Sequence, residues 1–238
     1  MPDTRGIESR GSPGAGRPLL RIAALSSVSG IVVLLVAESL HGGHEPGNLR
    51  ATLPIYAANP LWEVVHIGQF LGYVLLLGGL VGLQRSITGE PGAAFARLGL
   101  VVAVVAVGIY GTNQGVDGVA IKFVAKEWVD APSPQKADAF VLADAVRHVE
   151  IGLTSFSQLA LGVALVLFGL ALSLGRGYQR LFGVGAVALA ALYVVSGALV
   201  AHKGFTVVAV TATAGLLLAA WFVILAVILW RKAARARL

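Results

Sequence analysis

Ionisable side chains are sparse in this chain, and those that interrupt its apolar runs fall in short, regularly spaced groups. LWEVVHIGQF, residues 61–70, opens an almost wholly apolar stretch with Glu63 and His66, three residues apart. Glu38 and His41 repeat that spacing at the end of an earlier apolar run, beside His44 in HGGHEPGNLR. On a helix this spacing separates two side chains by about 60°, so a carboxylate and an imidazole can face one interior point. Further on, Asn113 and Asp117 share a helical face, and Gly111, Gly115 and Gly118 beside them allow a close backbone approach. In ADAVRHVEIGLTSFSQ, the residues Asp144, His148 and Ser155 lie within about 40° of one another at helical periodicity. Arg147 and Gln158 flank that stripe, and Glu150 falls off it, as a rim or interhelix residue would.

These groups suit three chemistries. Two Glu-x-x-His pairs and two further carboxylates, Asp117 and Asp144, match the ligand set of a di-metal carboxylate bundle. Metal ligation, by two ions or one, would draw on Glu38, His41, Glu63, His66 and His148. Haem b is the second option, held between His66 and His148 as paired axial ligands, although two acids and an arginine beside them would crowd the macrocycle. The third needs no cofactor: Glu63, His66, Asp117, Asp144 and His148 form an acid–base network, with Arg147 as orienter or anion contact. Carboxylates in a low-dielectric site can serve as general acids. Trp62, Tyr73, Tyr110, Asn113 and Gln158 would then contact a lipophilic substrate, although Trp62 and Trp128 also suit an interfacial aromatic belt. A structural reading competes with all three, in which Arg147 pairs with Asp144, Asp117 or Glu63 and locks four helices together.

What positions these residues is a set of helices in a membrane. Of 238 residues, 57% are hydrophobic and 13% charged, about half the charge of a soluble domain. Apolar runs of 18 residues or more recur, each long enough to cross a hydrocarbon core of about 30 Å. The fold expected is an all-α bundle of six transmembrane helices, near residues 19–40, 61–83, 97–125, 138–174, 181–202 and 205–230. Residues 1–17 read as a disordered cytoplasmic tail, 18–231 as the membrane domain and 232–238 as a basic cytoplasmic tail. With no cysteine in the chain, disulfides, thiolate nucleophiles and iron–sulfur clusters are excluded.

The net charge of +6 does not point to nucleic acid, because the basic residues gather at span ends, where they meet lipid head groups. Twelve of the 18 Lys and Arg residues fall on the side of the two termini, five on the other, and Arg147 within a helix. That bias puts both termini in the cytoplasm of a multi-pass cell-membrane protein. The five histidines and the embedded acids Glu38, Glu63, Asp117 and Asp144 then all lie toward the outer leaflet, and the inner half is apolar. Ionisable groups inside spans mark functional sites by default. A proton-coupled carrier would use the same residue types, but no inverted repeat is visible and no polar path continues inward.

LWEVVHIGQFLGYVLLLGGLVGL, GVDGVAIKFVAKEWVDAP and ADAVRHVEIGLTS together resemble a group of uncharacterised bacterial six-helix membrane proteins. The resemblance covers residues 50–160 and rests on a Trp-x-x-x-His start to the second span and a Val-Asp-Gly-x-Ala-x-Lys patch. It supports the six-span topology and singles out His66, Asp117 and Lys122, and it implies no activity. The expectation from the residues is an integral membrane enzyme acting on an isoprenoid-like or other lipid-like small molecule, by acid–base or metal-assisted chemistry. Its alternative is a carrier or partner subunit in which the polar cluster only holds the helices closed.

Overall fold

The computed structural model describes residues 16–42 and 47–235; residues 1–15, residues 43–46 with His44 among them, and residues 236–238 lie outside them. The described chain is helical almost throughout. Its elements are α1 (Gly16–His41), α2 (Leu49–Ala58), α3 (Trp62–Ser86), α4 (Gly92–Gly115), a π-helical turn (Val116–Ile121), α5 (Lys122–Asp130), α6 (Lys136–Leu174), α7 (Arg180–Lys203), a 3-10 turn (Gly204–Val207) and α8 (Val208–Arg235). Among the described residues the one β pairing is a single antiparallel bridge between Thr88 and Arg176.

Five helical stretches are long and apolar enough to cross a membrane: Gly16–His41, Trp62–Ser86, Gly92–Asp130, Lys136–Leu174 and Arg180–Arg235. The last is 56 residues long and reverses direction at Gly204, whose φ of +59° only glycine adopts readily. Its two arms run antiparallel, with Ser196 against Thr211 and the Phe182 ring stacked on Trp221. The helix ends agree with the expected spans to within a few residues, apart from two extensions. α8 runs through Lys232 to Arg235, because Ala233 is packed inside the bundle. The third span starts earlier than expected, at Gly92, and continues through the π turn to Asp130.

Packing in the bundle relies on small residues, which let apolar helices approach closely. The seam between α1 and α3 shows this. A Cβ on Gly30 would lie 2.8 Å from the Gly72 carbonyl oxygen, and one on Gly72 would lie 2.6 Å from Leu34. At that distance Ser26 Oγ reaches across to donate to the Leu75 carbonyl at 2.7 Å.

α6 is much longer than a span. Its 39 residues make about 58 Å of helix, roughly twice a hydrocarbon core. The N-terminal part packs with α2 and α5 around a second, smaller core of Leu53, Tyr56, Trp62, Ile121, Val124, Ala125 and Ala143, separate from the main core around Leu83, Phe168 and Leu225. These segments form a cap at one end of the bundle. It contains a ten-residue helix, α2, with Asn48 accepting from the Ala51 N–H at 3.2 Å as its N-cap. Pro54 inside α2 hides the helix from propensity, and burial of Leu53 and Tyr56 overrides it. The ionisable residues lie where this cap meets the bundle.

Candidate functional site at the junction of cap and bundle

Asn59 builds the corner that aims α3. Its side chain accepts from the Leu61 N–H at 2.9 Å, and its carbonyl accepts from Lys122 Nζ. The corner turns Trp62 inward as the first residue of α3, where it is fully buried. Trp62 therefore does not belong to an interfacial belt; it lies under the cap, 4.3 Å from the Tyr56 ring and 4.6 Å from the His66 ring, centroid to centroid.

Trp62 holds both members of the pair at the centre of the site. Its carbonyl lies 2.7 Å from His66 Nδ1, and its Nε1–H donates to the Asp117 carbonyl at 2.7 Å. A carbonyl can only accept, so Nδ1 carries a proton and Nε2 is the face left for chemistry. His66 is 1% exposed, and its Nε2 lies 3.0 Å from Asp117 Oδ2, close but without the alignment of a hydrogen bond. Asp117 Oδ1 is buried with no hydrogen-bond partner. Asp117 stands in the π turn, a distortion that re-aims side chains and recurs at functional sites. Gly118 makes the approach possible: a Cβ there would lie 2.5 Å from the His66 Cβ.

His41, at the end of α1, completes the cluster. Its ring centroid is 4.7 Å from Trp62 and 5.2 Å from His66. One ligating atom from each of His41, His66 and Asp117 lies within 4.8 Å of the others. Glu38, one turn earlier, accepts from Gln69 Nε2 at 3.3 Å. Deeper in the bundle, the Tyr73 and Tyr110 rings are 4.1 Å apart, and Asn113 Oδ1, Gln114 Oε1 and Gln158 Oε1 are buried without partners.

A second buried cluster adjoins this one. Arg147 Nη1 donates to both Glu150 oxygens at 2.8 Å, and Nη2 donates to Tyr56 Oη at 2.6 Å. The guanidinium also lies 5.1 Å from the Phe205 ring centroid. Burial pushes the Tyr56 phenol above its ordinary range, and the facing guanidinium only partly opposes this, so Tyr56 stays neutral and accepts. Arg147 is therefore tied to Glu150 and Tyr56, and not to Asp144, Asp117 or Glu63 as the structural reading supposed. Glu150 is not a rim residue but a buried counter-ion.

Other expected members lie elsewhere. Asp144 and His148 sit on the outside of α6, with side chains 48% and 70% exposed, in contact with each other. Ser155, on the same expected stripe, is buried and donates to the Gly197 carbonyl on α7. The stripe thus winds off the interior face before its first two members. His148 does not face His66, so no paired axial ligands for haem form. Glu63 is 41% exposed and lies 3.8 Å from Lys122 rather than beside His66. The four-carboxylate, two-histidine arrangement of a di-metal bundle is not assembled. The sequence offers no sign of Tyr56 and sets Glu150 aside from the polar stripe, although the i, i+3 spacing of Glu150 from Arg147 carries a signal.

No family model, curated protein or solved structure matches the chain.

Proposed function

We propose that the chain is a multi-pass cell-membrane enzyme with six crossings and both termini cytoplasmic, whose working group is the His66–Asp117 pair at the outer end of the bundle. The two arms of Arg180–Arg235 supply the fifth and sixth crossings, and the loop-charge bias supports the orientation. The observation that carries the reading is the double grip of Trp62, which fixes an imidazole and a carboxylate on different helices at 3.0 Å in a site closed off by the cap. Such preorganisation suits chemistry at His66 Nε2 and Asp117, by proton transfer or through a bound ion. Beneath the pair, half-buried Tyr73 and Tyr110 and the unpartnered amide oxygens of Asn113 and Gln158 offer hydrogen bonds to the polar head of an otherwise apolar molecule. The substrate class is a lipophilic small molecule, isoprenoid-like or lipid-like, that enters from the bilayer.

The test compares the lipid extracts of cells expressing wild type, His66→Gln, Asp117→Asn or no protein, by untargeted mass spectrometry. A species formed or consumed only with wild type is the expected result, with both variants present at wild-type levels in the membrane. Identical extracts from all four strains would sink the enzyme reading. The Arg147–Glu150–Tyr56 cluster favours a different role for its own residues, a lock joining α2 to α6.

A further inference from the structure

We propose that His41, His66 and Asp117 are the three protein ligands of one divalent transition-metal ion, a site of the two-histidine, one-carboxylate kind with coordination positions left open. The inference rests on the reading of His66–Asp117 as the working pair, and it names what lies between them. It is a mononuclear site on a ligand set that mixes one member of a Glu-x-x-His pair, one histidine of the other, and the π-turn aspartate.

Three observations converge on it. The hydrogen bond from Nδ1–H to the Trp62 carbonyl leaves the lone pair of Nε2 toward Asp117 Oδ2 at 3.0 Å. A nitrogen lone pair and a carboxylate oxygen at that distance need a positive charge between them, a proton or a metal ion, and the pair lacks the alignment of a hydrogen bond. Ligand atoms around one tetrahedral ion with bonds of about 2.0–2.1 Å lie about 3.3 Å apart. The pair, at 3.0 Å, is close to that spacing, and one donor atom from each of His41, His66 and Asp117 lies within 4.8 Å of the others.

The surroundings are those of a metal histidine. Imidazoles that ligate a metal almost always donate their other ring N–H to a carbonyl or carboxylate, which fixes the tautomer; Trp62 does this for His66. The backbone that carries Asp117 is held in the same way, by the Trp62 indole. His66 is almost wholly buried, and its Nε2 has no hydrogen-bond partner and faces only the Asp117 carboxylate. Nitrogen and carboxylate donors, with no cysteine in the chain, suit zinc or ferrous iron rather than cuprous copper or a cluster. Glu38, one turn from His41 and held by Gln69, adds a carboxylate next to the site that favours a dication over a bare imidazole pair.

The experiment uses the full chain, purified in detergent through a tag without histidine, with metal content measured by mass spectrometry and the visible spectrum recorded after loading with cobalt(II). Wild type should carry roughly one zinc or iron ion per chain and show the ligand-field bands of low-coordinate cobalt. His41→Gln, His66→Gln and Asp117→Asn should each lower the content about tenfold or more, and Asp144→Asn with His148→Gln should not. If a ligand variant does not accumulate, wild type stripped with a chelator and titrated with zinc or cobalt supplies the same readout. Wild type without metal and without cobalt bands overturns the site, as does stoichiometric metal retained in the His66→Gln, Asp117→Asn double variant. Metal-free wild type that still alters the lipid extract ends the metal and leaves the enzyme. Bound metal with no change in the extract supports the metal and ends the enzyme.

Discussion

Two buried polar clusters adjoin at the junction of cap and bundle, and they differ in how completely their groups are used. Around Arg147, a bidentate guanidinium–carboxylate contact and a phenol meet on one cation, and only Arg147 Nε goes without a hydrogen bond. Around His66, the ring Nε2 faces Asp117 Oδ2 without a hydrogen bond, and the other carboxylate oxygen, Oδ1, has no hydrogen-bond partner. Both clusters carry the cost of taking charge out of water. The first recovers most of that cost internally and leaves only the Arg147 Nε–H unused. The second recovers it only if something else arrives. Completeness of pairing, more than burial or residue type, separates a lock from a site.

The comparison breaks most visibly at the lock. Arg147→Ala would leave Glu150 buried beside a phenol with no cation, a loss of about 3–5 kcal/mol for a broken buried ion pair. The expected result is a protein that fails to accumulate or melts far earlier in detergent. Replacing the pair together, by Arg147→Met with Glu150→Leu, should recover most of the loss, because no charge is then stranded. Thermal unfolding monitored by tryptophan fluorescence checks both. If Arg147→Ala is as stable as wild type, the cluster is not a lock. His66→Gln and Asp117→Asn should behave in the opposite way: each removes a group that is not fully paired, so the folded state loses little and the chemistry is lost.

Gly118→Ala comes next, and sharpens the difference by acting on position alone. The added methyl meets the His66 Cβ at 2.5 Å, so either the π turn or α3 must shift, at about 1–3 kcal/mol for overpacking. Metal retention should fall although no ligand is changed, while the contact between Arg147 and Glu150 stays intact. Trp62→Phe is expected to cost no more than that. It removes the indole donor and leaves the buried Asp117 carbonyl unpaired, about 1–3 kcal/mol before any relaxation. Because the His66 contact runs to the Trp62 backbone, the histidine tautomer should survive this change. Nitrogen chemical shifts of the labelled histidine ring would distinguish the two variants.

Much of this was legible in the sequence, for reasons that also mark where legibility stopped. Apolar runs and loop glycines locate the helices because a stretch long and apolar enough to span a membrane has few ways to satisfy its backbone other than as a helix. His66, Asp117 and His41 stand out because polar residues inside such runs are rare. What pattern could not supply was helical phase over a long element. A 100° step carried from Asp144 to Ser155 assumes one straight interior face, yet α6 leaves the bundle to support the cap, and the face toward α2 there presents Arg147 and Glu150 instead. The π turn changed phase a second time, by inserting a residue just where Asp117 sits. Tyr56 was invisible for another reason: α2 contains a proline, and only tertiary burial makes it a helix.

The smallest expected effect is the most pointed test of that account. Asp144 and His148 form an i, i+4 pair on the outside of α6, 3.5 Å apart, and His148 also contacts the Asp144 carbonyl through Nδ1 at 2.8 Å. An exposed pair of this kind contributes about 0.3–0.5 kcal/mol at most. Composition and spacing made these two residues as good a bet as His66 and Asp117, since they offer the same chemistry at the same expected depth. Their double replacement by alanine should change thermal stability by no more than about 0.5 kcal/mol, and should leave metal content and the lipid extract as in wild type. A large loss of either would mean that the exposed face of α6 meets the substrate or a partner in the membrane, and the working site would then extend around the helix instead of ending at the cap.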